Sequence, residues 1–120
     1  MSFKAPTETD LIRQCLDFLK LAGVFAIRVN SGAAIYRDGR AGLGQLVRFN
    51  SEPGMSDIIG VLPGGRFCAI EVKRAGARTA PKRKAEQDSF QQRIRDMGGF
   101  ALTVDSLQNL IDAMREVGVR

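Results

Sequence analysis

The feature that most constrains this sequence is a pair of short apolar runs either side of a glycine-rich break. Residues 57–62, Asp-Ile-Ile-Gly-Val-Leu, and residues 67–73, Phe-Cys-Ala-Ile-Glu-Val-Lys, flank Pro63-Gly64-Gly65. Runs of that length joined by turn residues predict an antiparallel hairpin. Register then decides which residues meet at its open end, because side chains alternate between faces with period two. With Leu62 opposite Phe67, Asp57 would pair with Val72 and point away from Glu71. With a loop of Leu62 to Arg66 and Val61 opposite Phe67, Asp57 lies directly across from Glu71. The second register, or a bulge that achieves the same facing, is the expectation.

The flanking segments predict an α/β domain. Thr7 is an N-cap with Asp10 at the capping-box position, and Leu11, Ile12, Cys15, Phe18, Leu19 and Ala22 follow at helical spacing until Gly23. Val24 to Val29 reads as a buried strand. Residues 30–44 form a glycine-rich excursion with Arg37, Asp38 and Arg40, read as a hairpin turning at Asp38-Gly39 and returning through Gln45 to Phe49. Ser51-Glu52-Pro53-Gly54 is a turn before the central hairpin. After it, Arg74 to Lys84 is basic and enters a helix near Pro81, where Gln87, Phe90, Ile94 and Met97 recur at three or four residues. Gly98-Gly99 closes that helix and Phe100 to Val104 is a strand. Asp105 or Ser106 caps a last helix with Leu107, Leu110, Ile111, Met114 and Val117 on its inner face. The chain of 120 residues is the size of one domain spanning 1–120. It has no apolar run long enough to cross a bilayer and no apolar signal core at its N-terminus, so an intracellular, cytoplasmic protein is expected.

Composition narrows the chemistry. The chain has no histidine, and Cys15 and Cys68 lie far apart in apolar segments, so no tetrahedral zinc site assembles and imidazole-based triads and general bases are excluded. Carboxylates, lysine, hydroxyls or a hard metal remain. Lys plus Arg is 18 against 13 for Asp plus Glu, a net +5 that favours a polyanionic partner. At the end of the second hairpin strand, Glu71 and Lys73 emerge on one face while Val72 points to the other. Val72 can pack in the core with its main-chain carbonyl still available to a hard cation. Read singly, Glu71 and Lys73 also suit a solvated strand end, and Asp57 a turn cap after Pro53-Gly54. Read together, two facing carboxylates repel until a cation joins them, and an oxygen-only donor set argues for Mg²⁺ or Mn²⁺. Glu8 and Gln87 sit where their helices should face inward.

Glu8, Pro53-Gly54-Met55-Ser56-Asp57, Glu71-Val72-Lys73 and Gln87 together resemble the PD-(D/E)XK nuclease superfamily, and within it the VRR-NUC family of small virus-type nucleases. Asn30-Ser31-Gly32-Ala33-Ala34, the segment Gly65 to Ile70 and Gly98-Gly99-Phe100-Ala101 look like that family's intervening segments. The resemblance covers about residues 8–104. It implies a restriction-endonuclease-like mixed central sheet flanked by helices, an α-β-β-β-α-β core plus a C-terminal helix. It also implies that Asp57, Glu71 and the Val72 carbonyl hold the metal with Glu8 assisting directly or through water. Lys73 would position the attacking water, and Gln87 would support the site. One departure is plain: Val104-Asp105-Ser106 stands where the family carries two arginines.

The implied reaction is hydrolysis of DNA phosphodiesters by a Mg²⁺- or Mn²⁺-dependent endonuclease. Similar stand-alone members act as homodimers on four-way (Holliday) junctions, whose twofold symmetry suits two related sites. That makes branched DNA the first substrate expectation, in a virus, phage or bacterial setting. A nickase or flap-type nuclease, or a catalytically silent DNA-binding module of the same fold, are the alternatives. Candidate DNA contacts are Arg74, Arg78, Lys82, Arg83 and Lys84, with Arg37, Arg40 and Arg48 on the excursion.

Overall fold

A computed structural model describes residues 5–29, 33–37, 44–48 and 52–119; for 33–37 and 44–48 it describes the backbone. Helix α1 spans Glu8–Leu21 and opens on the expected capping box. The Thr7 hydroxyl accepts from the Asp10 N–H at 3.1 Å, and the Asp10 carboxylate accepts from the Thr7 N–H at 3.3 Å. Those bonds hold the Asp10 carboxyl below its ordinary range. Strands β1 (Phe25–Arg28), β4 (Ile58–Val61), β5 (Phe67–Val72) and β6 (Phe100–Val104) build a four-stranded mixed sheet in the order β1-β4-β5-β6. The first two pairings are antiparallel and the last is parallel. Helices α2 (Pro81–Asp96) and α3 (Leu107–Glu116) complete the element order, and Ser106 caps α3 by accepting from the Asn109 N–H at 3.0 Å.

Alternation along the strands sorts the core onto two faces. Ile58, Cys68, Ile70 and Val72 pack on one side with Leu11, Ile12, Cys15 and Leu19 of α1 and Leu110 and Met114 of α3. Ala69 and Ala101 pack on the other with Phe90 of α2, joined by Met55, Ile59 and Ile94. The sheet is thus covered by α1 and α3 on one face and by α2 on the opposite one. Strands β2 (Ala33–Arg37) and β3 (Gly44–Arg48) pair antiparallel as a separate two-stranded sheet, as the hairpin reading of the excursion expects. The expected turn at Asp38-Gly39 and Arg40 lie outside the described residues.

Two sequence expectations are corrected. The segment 24–29 is not a buried strand: β1 is the sheet edge, with Phe25 71% and Ile27 48% exposed. The register places Phe25 beside Val61, and Val61 beside Phe67, on the α2 face. Helix α2 packs on β5 and β6, so among the described residues no helix covers this end of that face. Met97 does not extend the buried stripe of α2 either; it is the C-cap residue and is 91% exposed.

Gly54 ties the turn before β4 to α2. Its φ of 73° is in the left-handed region, and a Cβ there would run into the Glu86 carbonyl and the Gln87 N–H of the helix backbone. Gly54→Ala should therefore cost about 1–3 kcal/mol, read as a lower urea midpoint; an unchanged midpoint would contradict this packing.

Candidate active site

The ladder between β4 and β5 pairs Val61 with Phe67 and Ile58 with Ile70. The Leu62 N–H closes the loop on the Arg66 carbonyl at 2.8 Å. This is the register expected from the sequence, and its next step sets Asp57 across from Glu71. At that point β4 leaves the ladder: the Asp57 carbonyl accepts from the Val29 N–H at 2.7 Å, on the β1 side. The Asp57 side chain takes over the pairing with β5, its Oδ2 accepting from the Val72 N–H at 2.8 Å. In an extended strand the N–H and C=O of one residue point to the same edge. The Val72 carbonyl is therefore directed to the side of β5 on which Asp57 stands, while the Lys73 N–H turns the other way to the Val104 carbonyl at 2.9 Å.

Glu71 is 2% exposed, an unusual position for a carboxylate. Its Oε1 accepts from Gln87 Nε2 at 3.2 Å and pairs with Lys73 Nζ at 3.1 Å. Its Oε2 is buried and has no hydrogen-bond partner among the described residues. Burial pushes the Glu71 carboxyl up to about 7, the neighbouring Asp57 adds to the rise, and Lys73 opposes it. An orphaned carboxylate oxygen beside a second carboxylate fits a hard divalent cation, which would supply the missing partner and relieve the repulsion. Among the described residues no three His, Cys, Asp or Glu side chains gather closely enough to hold a metal. The protein donors that fit are consequently Asp57, Glu71 and the Val72 carbonyl, with water completing the shell.

Glu8 departs from the inward placement expected of it. It is the first residue of α1, one turn before the first core contact, and is exposed. It lines a cavity of about 280 Å³ together with Lys73, Arg78, Thr79 and Arg83, and so reaches the site's edge without joining the Asp57–Glu71 pair. Gln87 is buried, as its place on the α2 stripe predicts, and its amide fixes Glu71. The basic run divides. Arg74, Arg78, Lys82, Arg83 and Lys84 are all exposed, and Lys84 alone of these pairs among the described residues with an acid, Asp88, one turn along the helix at 3.1 Å. Arg37 and Arg48 sit at the ends of β2 and β3, and their side chains lie outside the described residues.

Two residues near the site escaped the sequence reading. Gln91 is buried, donates to Thr103 Oγ1 at 2.9 Å and accepts from Arg95, which also donates to the Ala101 carbonyl of edge strand β6 at 2.8 Å. Its position four residues after Gln87 on the same helix face was the available signal. Ser56 is fully buried, its hydroxyl without a partner among the described residues, and nothing in its residue type distinguishes it from a turn serine. Burial raises both thiols, Cys15 and Cys68, to about 11, which makes them poor nucleophiles at neutral pH.

No family model matches the sequence. No curated protein matches it in sequence either. Among solved structures it is similar to one described as a VRR_NUC domain, with a TM-score of 0.57 and 19% identity over 91% of this chain and 94% of that one. The fold is therefore of the restriction-endonuclease-like class. Within that class it is the VRR_NUC fold, with the mixed sheet and flanking helices that the sequence resemblance implied.

The raised Glu71 carboxyl has a sign in stability. The metal-free folded chain holds a proton that the unfolded chain has lost, so stability falls as pH rises from about 4.5 through about 7. Glu71→Gln should flatten that fall and raise the melting temperature at pH 8 in chelator. Identical pH slopes for the two proteins in chelator would contradict the assignment.

Proposed function

We propose that this domain is a Mg²⁺- or Mn²⁺-dependent DNA endonuclease, with Asp57, Glu71 and the Val72 carbonyl as the metal donors. The observation carrying this reading is the orphaned Oε2 of a buried glutamate facing a second carboxylate, with a lysine ammonium 3.1 Å from its other oxygen. A bound divalent ion would lower the pKa of water and offset charge on the phosphate under attack. Lys73, held against Glu71, orients the attacking water and places a positive charge beside the phosphorane as it forms. Gln87 donates to Glu71 and keeps that carboxylate turned toward Asp57. Asp57 uses one oxygen on the Val72 N–H, which locks its orientation and leaves its other oxygen for the ion. Glu8, at the edge of the cavity that Lys73 also lines, acts through water.

The substrate is DNA, and the basic residues Arg74, Arg78, Lys82 and Arg83 beside the site supply phosphate contacts, with Arg37, Arg40 and Arg48 of the hairpin and Lys84 as further candidates. Branched DNA cut by a homodimer is the specific form of the proposal. The exposed apolar strip of Phe25, Ile27, Val61 and Phe67 at the β1 side of the sheet supports self-association, and a twofold junction presents two equivalent phosphates to two copies.

Purified protein should cut a labelled four-way junction with Mn²⁺ and leave it intact in chelator. Lys73→Ala should bind the junction as the parent does and turn over about 10²–10³-fold more slowly. Cleavage at the parental rate by Lys73→Ala would overturn its role, and no cutting of junction, flap, duplex or single strand in Mn²⁺ would overturn the nuclease reading.

A further inference from the structure

The cavity beside Lys73 holds more positive charge than the chemistry of the cut requires. Three cations line it, Lys73, Arg78 and Arg83, against the single carboxylate of Glu8. Lys73 is committed to Glu71. Arg78 and Arg83 form no ion pair or hydrogen bond among the described residues, in contrast to Arg93, Arg95, Arg66 and Lys84, which all hold partners. Two guanidinium groups lining one cavity can hold a single anion between them.

The backbone adds to this. Helix α2 begins at Pro81 with Ala80 as its N-cap, and no side chain among the described residues caps it. Its first turn carries no acidic residue and three basic ones, Lys82, Arg83 and Lys84, which is the reverse of what the helix macrodipole favours. Ala80 lines the same cavity, so the start of α2 converges there with Arg78 and Arg83. Thr79 brings a hydroxyl to the same wall.

We propose that this cavity seats a second phosphate of the nucleic-acid strand, next to the one cut beside Lys73, with Arg78 and Arg83 as its ligands. This deepens the nuclease reading and rests on it for the identity of the polyanion. The planar guanidinium fork suits two oxygens of one phosphate. The position of the seat, sharing Lys73 with the catalytic pair, makes it a register device: a strand anchored there offers the neighbouring phosphodiester to Asp57 and Glu71. Glu8 at the rim disfavours a more highly charged anion than a bridging phosphodiester.

The test is binding to a labelled four-way junction in chelator, where no cleavage intervenes, over a range of salt. Arg78→Ala and Arg83→Ala should each weaken binding roughly tenfold and lower the salt slope by about one. Arg115→Ala, which removes the same charge from exposed α3, should leave both unchanged. A scan replacing one phosphate at a time with a neutral methylphosphonate should find a position whose cost in the parent disappears in Arg83→Ala. Arginine variants with parental affinity and slope, or a scan whose costs are the same in parent and variant, would overturn the seat. The nuclease reading fails separately, if the parent binds through this seat and yet never cuts with Mn²⁺.

Discussion

The site depends on one exchange of partners at the end of the central hairpin. β4 stops pairing through its backbone after Ile58, and the Asp57 carboxylate takes the next β5 N–H, that of Val72. A side-chain oxygen standing where a main-chain oxygen would be brings a negative charge to the edge of β5 beside Glu71. The same step leaves the Val72 carbonyl without a β4 residue opposite it. Burial of Glu71 beneath α2 then sets the electrostatic problem, two neighbouring carboxylates in a poorly solvated place with Lys73 as the counter-charge among the described residues.

The surrounding fold makes that problem persist. Pro53-Gly54 lies against the backbone of α2 so closely that only glycine fits, and the same turn of α2 carries Gln87 into Glu71. Further along α2, Gln91 and Arg95 bind β6 through Thr103 and the Ala101 carbonyl, which fastens the helix over the β5–β6 half of the sheet. These arginine and glutamine contacts satisfy an edge-strand carbonyl in a chain that has Asp105-Ser106 after Val104. The helix is therefore both the lid that desolvates Glu71 and the element that carries the basic first turn to the site's mouth.

Much of this was legible in the sequence because it follows from counting. A loop of Leu62 to Arg66 forces Asp57 to face Glu71, and the spacing of Gln87 to Phe90 and Ile94 puts its amide on the buried face of α2. Other features were not legible, for physical reasons. Phe25 and Ile27 read as core because a strand's composition does not say which layer covers it, and here α2 stops short of β1. Glu8 lies on the apolar stripe of α1 by spacing, yet as the first residue of the helix it is exposed at the rim of the cavity beside Lys73. The basic run looked uniform until the helix start at Pro81 divided it. One lysine is paired within its own helix, and two arginines are left facing a cavity.

The central claim, that Asp57 and Glu71 share one hard cation, is tested most directly by titrating Mn²⁺ into the protein without DNA and following free Mn²⁺ by its paramagnetic resonance signal. One saturable site per chain is expected, weakened at least tenfold in both Asp57→Asn and Glu71→Gln and tightening as pH rises through about 7, where Glu71 gives up its proton. Parental Mn²⁺ affinity in both variants would contradict the account.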